Sequence, residues 1–218
     1  MPSEPPLILA FDTAAAHCAA VLVRGDRVLA ERDEAMARGQ AERLLPMLGE
    51  ILAEGGCGWR DLDALAVCTG PGNFTGLRLA VAAARGIAMG LGIPAVGVSR
   101  FEALAEGVAG PARVALPDPR GEVVVQHFDD GEPVDAPQPE GAEPTPAGAV
   151  CLGHEARAAA ARLGLRAGSE ATRAELARLA RVAARRLGGA VAPPAPLYIR
   201  PADATPATEP AARILDDA

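Results

Sequence analysis

LDALAVCT (residues 62–69) runs into GPGNFTG (70–76), then LRLAVAAARGIAMGL (77–91), GIP (92–94) and AVGV (95–98). The first block is a short apolar run closed by Thr69-Gly70-Pro71, which predicts a buried strand. Gly76, Ala80, Ala83, Ala84, Ala88 and Gly90, with Leu77, Val81, Ile87, Met89 and Leu91 between them, predict a helix from about Thr75 to Leu91. AVGV then predicts a second strand. A strand, a crossover helix and another strand make a parallel unit, since parallel neighbours need a long connection.

Upstream, Leu7 to Thr13 (LILAFDT) reads as a buried strand, and Ala19 to Val23 and Arg27 to Glu31 flank the turn residues Arg24-Gly25-Asp26. These three strands predict an antiparallel meander. Leu44, Leu45, Leu48, Ile51 and Leu52 recur at helical spacing up to Gly55-Gly56. Pro46 allows two readings: a helix that begins there, or a longer one kinked from about Gln40. A further helix is expected from about Arg100 to Val108. The order β-β-β-α-β-α-β is the half-domain of the actin-like, ribonuclease-H-like superfold, an α/β two-lobed fold with mixed sheets and crossover helices.

Gly110-Pro111 suggests a lobe boundary, giving an N-terminal lobe over 1–108, a smaller C-terminal lobe over 109–200 and a Pro-rich tail over 201–218 expected to be poorly ordered. In the second lobe, strands are expected at 113–116, 122–128 and 149–152, helices at 155–163 and 172–187, and an extended piece at 196–200. Residues 129–148, rich in Pro, Gly and acidic side chains, read as one long surface loop. The sequence contains no internal repeat.

All 21 basic residues are arginine and none is lysine. A Walker-type P-loop and Schiff-base chemistry are therefore excluded. Six aromatics and a net charge of -7 oppose autonomous nucleic-acid binding by base stacking. Residues 151–200 hold nine arginines against Glu155, Glu170 and Glu175, which reads either as a basic patch or as a solvated helix face. The four cysteines and three histidines show no metal-ligand spacing, so no metal site is expected. With no cationic leader and no long uninterrupted apolar run, the expectation is a cytoplasmic protein that does not enter a membrane.

Two segments invite a binding role. Asp12 and Thr13 close the first strand where actin-like ATPases place an acidic residue near phosphate, but Ala14-Ala15-Ala16 follows where those enzymes use glycines. Gly70, Gly72, Asn73 and Thr75 lie between a strand and a helix N-terminus, a geometry that suits an anion or a nucleotide, with Arg78 beside them. The alternative is a rigid turn capped by Asn73 or Thr75. His17-Cys18 lacks a third member for nucleophilic work, and Asp118, Arg120 and Glu122 read as solvated turn charges, so no catalytic residue is expected. Small and apolar positions on two helices, Leu44, Leu45, Leu48 and Ile51 with Gly76, Leu77, Ala80, Val81, Ala84 and Ile87, are assigned to a subunit boundary over the chain's own core.

LILAFDTA (7–14), RGQAERLLPML (38–48), residues 62–105 and PLYIRPADA (196–204) together resemble the TsaB (YeaZ) family, above all GPGNFTGLR with the small-residue helix and GIPAVGVS. The resemblance implies a two-lobed actin-like fold and a role in making N6-threonylcarbamoyladenosine at position 37 of tRNAs reading codons that start with A. It implies a non-catalytic relative of TsaD that supports TsaD, pairs with itself or with TsaD through the helices matching 40–54 and 75–91, and is joined by the ATPase TsaE. No intrinsic cofactor is implied, with ATP or ADP at the junction with TsaD or TsaE, and tRNA is met only through the complex. The sequence departs from the family's D-A-R-x-G-E-V-Y turn, reading Pro117-Asp118-Pro119-Arg120-Gly121-Glu122-Val123-Val124, and 129–150 is short. The rival reading is an actin-like small-molecule kinase or ATPase using Asp12 and the Gly70 to Gly76 loop.

Overall fold

The computed structural model describes residues 4–118, 120–142, 144–171 and 176–199. The tail expected over 201–218, the start of the 172–187 helix, and Pro119 and Arg200 lie outside the described residues.

The first sheet contains β1 (Leu7–Asp12), β2 (His17–Arg24), β3 (Arg27–Ala35), β4 (Ala64–Cys68) and β5 (Ala95–Val98) in the order β3-β2-β1-β4-β5. β1, β2 and β3 form the antiparallel meander, while β1, β4 and β5 are parallel. Alternation along the strands decides what covers each face. Leu7, Leu9 and Phe11 pack under α1 (Gln40–Glu54) and α2 (Phe74–Leu91). Ile8 and Ala10 face the opposite way, under α5 (Leu176–Arg186). Of the two readings of Pro46 the longer helix holds, because α1 runs from Gln40 through the proline.

The second sheet contains β6 (Pro111–Pro117), β7 (Val123–Asp129), β8 (Glu132–Pro133), β10 (Val150–Gly153) and β11 (Arg166–Ala167) in the order β11-β10-β6-β7-β8. β6, β7 and β8 are antiparallel, and β6, β10 and β11 are parallel. This repeats the topology of the first sheet strand for strand. The duplication is a property of the fold and leaves no trace as a sequence repeat, because hydrophobic alternation can be met by many residues. α3 (Arg100–Ala105) lies between the sheets, with Phe101, Leu104 and Ala105 in the second core and Ala103 against the first. α4 (Ala156–Leu163) covers the far face of the second sheet.

Three expectations need correction. Residues 129–148 are not one open loop, since β8 and β9 (Gln138–Pro139) both fold back onto β7. The 100–108 helix stops at Ala105. The segment 109–200 does not form a lobe by itself, because Leu176, Leu179, Ala180, Val182 and Ala183 of α5 return to the core of the first sheet. The arginines of α5 explain the excess basic charge nearby. Arg186 pairs with Glu102, Arg185 with Glu106, and Arg178 donates to the Leu104 and Glu106 carbonyls at 3.4 and 3.0 Å. They fasten α5 to α3, so these side chains do not form an unpaired basic patch.

Candidate functional site

The carboxyl ends of β1, β4 and β5 meet at one edge of the first sheet, where open α/β sheets bind ligands. Here that edge is filled by the protein's own backbone. Asn73 N–H donates to the Ala14 carbonyl at 2.6 Å, and Thr13 Oγ1 donates to the Gly76 carbonyl at 2.7 Å. A Cβ on Gly72 would overlap the Ala14 carbonyl oxygen, and one on Gly76 would overlap that of Thr13. Both glycines thus answer to the close approach of the segment after β1.

The same contacts correct the anion reading of this loop. Thr75 N–H is taken by Asn73 Oδ1 at 3.0 Å, the N-cap of α2, so the Asn73 and Thr75 amides are both engaged internally. Gly70 adopts φ +108 before a cis peptide to Pro71, and its carbonyl accepts from Arg100 N–H at 2.7 Å. Arg78 is engaged by two aromatic side chains. Its guanidinium lies 3.6 Å over the Phe74 ring and Nε donates to Tyr198 Oη at 2.9 Å. Phe74 and Tyr198 remain about half exposed, a surface cluster with Arg78 that sequence reasoning missed because Tyr198 lies 120 residues beyond Arg78.

Asp12 is buried, with Oδ1 accepting from Ala14 N–H at 2.7 Å and Oδ2 3.2 Å from His17 Nε2. His17 is itself buried, and its Nδ1 lies 3.7 Å from Asp33 Oδ1. Burial pushes the Asp12 carboxyl up, but His17, the Ala14 amide and Arg100 outweigh it and hold the group below its ordinary value. Asp12 is therefore a carboxylate that organises the β1–β2 turn. Cys18 points to the other face of β2, and burial, aided by Glu34, pushes its thiol up to about 11. It is an unreactive core residue. Asp118 is not solvated either: it is buried and accepts from Arg120 N–H at 2.8 Å and Glu122 N–H at 2.9 Å, closing the β6–β7 turn.

A strap over residues 192–198 covers the same sheet edge. Leu197 N–H donates to the Thr69 carbonyl at 2.8 Å, Arg85 Nε to the Pro194 carbonyl at 2.7 Å, and Pro194 packs on Gly97. A cleft of about 350 Å³ remains between the strap, Ser99, Glu102 and Gln126.

The ten positions assigned to a subunit boundary divide. Leu44, Leu48, Ile51, Gly76, Leu77, Ala80, Val81 and Ala84 are buried within the chain, Ile87 is half-buried and Leu45 is 52% exposed. The helical period identified the stripe that faces the sheet, and alanines there let α2 lie close to β4. The outward side of the two helices shares Leu45 with that list and adds Met89 at 85% exposure and Gly49, Gly86 and Gly90, where a Cβ would meet nothing, while half-buried Ala83 and Ile87 pack at the margin of the core. α2 is long and apolar enough to cross a membrane by length and composition, and a third of it is buried in this core.

A family model described as TsaD, tRNA N6-adenosine threonylcarbamoyltransferase, matches residues 28–125. The protein named tRNA threonylcarbamoyladenosine biosynthesis protein TsaB from Escherichia coli is 40% identical over 100 residues, covering 46% of this chain and 43% of that protein. The match thus spans less than half the length of that curated relative. The uncharacterized protein Rv3421c of Mycobacterium tuberculosis is 37% identical over 204 residues, covering 91% of this chain and 94% of that one. Among solved structures, a Pseudomonas aeruginosa protein described as similar to peptidase YEAZ superposes with a TM-score of 0.71 at 27% identity, covering 89% of this chain and all of that one. By the segment it shares with TsaB of Escherichia coli, and by a YeaZ-like superposition over 89% of its length, the chain belongs to the TsaB (YeaZ) family.

Proposed function

We propose that this chain is a non-catalytic subunit that binds and activates TsaD in N6-threonylcarbamoyladenosine modification of tRNA. The observation that carries the reading is the edge at the ends of β1 and β4, where a phosphate would sit in an active relative. Thr13, Ala14 and the Gly72 to Gly76 backbone fill it. Among the described residues no cluster of three or more His, Cys, Asp or Glu could hold a metal ion.

The outward side of α1 and α2 supports a partner-binding role. An apolar surface dotted with three unhindered glycines lets another helix approach closely. Both helices lie on one side of the sheet, so one continuous surface serves either a second copy of the chain or TsaD. In this reading TsaE joins the complex, ATP or ADP binds at a subunit junction, tRNA is met through TsaD, and the assembly works in the cytoplasm.

The test is co-purification with TsaD, followed by a reconstituted tRNA modification assay and, separately, titration of the isolated chain with ATP and magnesium. The expected result is a stable complex, modification that needs the chain, and no phosphate release by the chain alone. ATP turnover by the isolated chain would replace this reading with the kinase or ATPase alternative.

A further inference from the structure

The side of α2 assigned above to a partner continues at its N-terminal end on to the strap. Phe74, Arg78, Ala82, Arg85, Gly86 and Met89 are exposed along α2, and spacings of three and four residues set them on one face of the helix. At the N-terminal end that face is completed by Tyr198, which the strap brings against Arg78. The two rings lie 5.5 Å apart at 35° to each other, and the Arg78 guanidinium is 3.6 Å from the centre of the Phe74 ring and 5.8 Å from that of Tyr198. Tyr198 Oη accepts from Arg78 Nε.

These contacts fix a guanidinium at the surface without using its terminal nitrogens. Among the described residues, neither Nη1 nor Nη2 of Arg78 has a carbonyl or carboxylate acceptor. Other arginines of the chain behave differently: Arg32, Arg43, Arg113, Arg185 and Arg186 each give a terminal nitrogen to one of its own glutamates. An arginine that pairs across an interface ordinarily loses rotamer freedom in doing so. Here Phe74 and Tyr198 have ordered the side chain beforehand, which removes part of that cost.

Charge selects the occupant. Arg78 and Arg85 are the only charged residues of α2, and both stand on its exposed face. A partner lying along that face meets two positive charges and no negative one from α2, so an acidic group complements it. The fork of Arg78 suits the two oxygens of a carboxylate, and the rings beside it suit the hydrocarbon that carries one. A nucleic-acid phosphate would fit the same fork, but the net charge of -7 opposes the approach of a polyanion. We propose that Arg78, framed by Phe74 and Tyr198, receives an aspartate or glutamate side chain of TsaD, so that the end of the strap belongs to the interface. The proposal rests on the TsaD reading and gives it an anchor of the aromatic and arginine kind that dominates binding energy at protein interfaces.

The test is calorimetric titration of the full chain with TsaD at low and high salt, for wild type, Arg78→Gln, Arg78→Lys, Tyr198→Phe and Gly86→Arg, each first shown to be folded by its melting transition. Arg78→Gln should bind about tenfold more weakly than wild type and lose less affinity as salt rises, because one ion pair is gone. Arg78→Lys, which keeps the charge without the fork, should fall between the two, and it decides if Arg78→Gln does not fold. Tyr198→Phe, which removes only the hydroxyl that holds Nε, should weaken binding about threefold. Wild-type affinity in Arg78→Gln overturns the proposal, and if Gly86→Arg has meanwhile lost binding the TsaD reading stands without it. No binding by wild type overturns both. Weaker binding with an unchanged salt dependence also overturns the proposal, as does a loss confined to tRNA binding by the assembled complex, which would make the cluster an RNA contact.

Discussion

At Gly76 a single hydrogen in place of a methyl lets the Thr13 carbonyl lie against the first turn of α2. Gly76→Ala has no flexible neighbour to displace, so it should cost at least ~1–3 kcal/mol, read as a lower urea midpoint. Asp12 gives a second prediction, with its sign set by its depressed pKa. The folded carboxylate is stabilised relative to the unfolded one, so the benefit is present above about pH 4 and is lost as pH falls through the folded value. Asp12→Asn should therefore be less stable than wild type by ~1.5–3 kcal/mol at pH 7, with the gap closing in acid. The thiols offer a third check at pH 8. Cys57 is half-buried, whereas Cys18, Cys68 and Cys151 are buried with their thiols pushed up, chiefly by burial. A thiol reagent should modify one cysteine, Cys57, in the native protein and the other three only on unfolding.

At the scale of elements, α2 separates a core side from an outer side within two residues. Ala84 is fully buried against the sheet, so Ala84→Arg would force an unpaired guanidinium into the core and leave no folded protein. Gly86 is exposed, and a side chain there meets nothing. Gly86→Arg should fold with an unchanged or higher melting temperature, since replacing a helical glycine contributes up to ~1 kcal/mol. It should also lose self-association in analytical ultracentrifugation. The sequence made α2 legible as a helix with a small-residue stripe, but not which neighbour the stripe meets. Periodicity reports that a face is buried, and a sheet in the same chain satisfies it as well as another subunit. The Gly70 to Gly76 loop shows the same limit, since a glycine requirement can come from a ligand or from the protein's own backbone.

At the scale of the whole molecule, the first sheet was legible because its strands are short apolar runs bounded by glycine, proline and aspartate. The second was less so. β8, β9 and β11 are two residues each, too short for any period to register. The return of α5 to the first sheet depends on long-range packing that local pattern does not encode. The account that emerges is an actin-like frame whose ligand edge is closed by its own backbone and strap, with its outer helices left for a partner. The most direct test is reconstituted tRNA threonylcarbamoylation with TsaD and TsaE, comparing wild type, Gly86→Arg and Asp12→Asn at a temperature where all three are folded. The account predicts that Gly86→Arg matches omission of the chain and that Asp12→Asn matches wild type. Full modification with Gly86→Arg, together with its loss in Asp12→Asn, would contradict it.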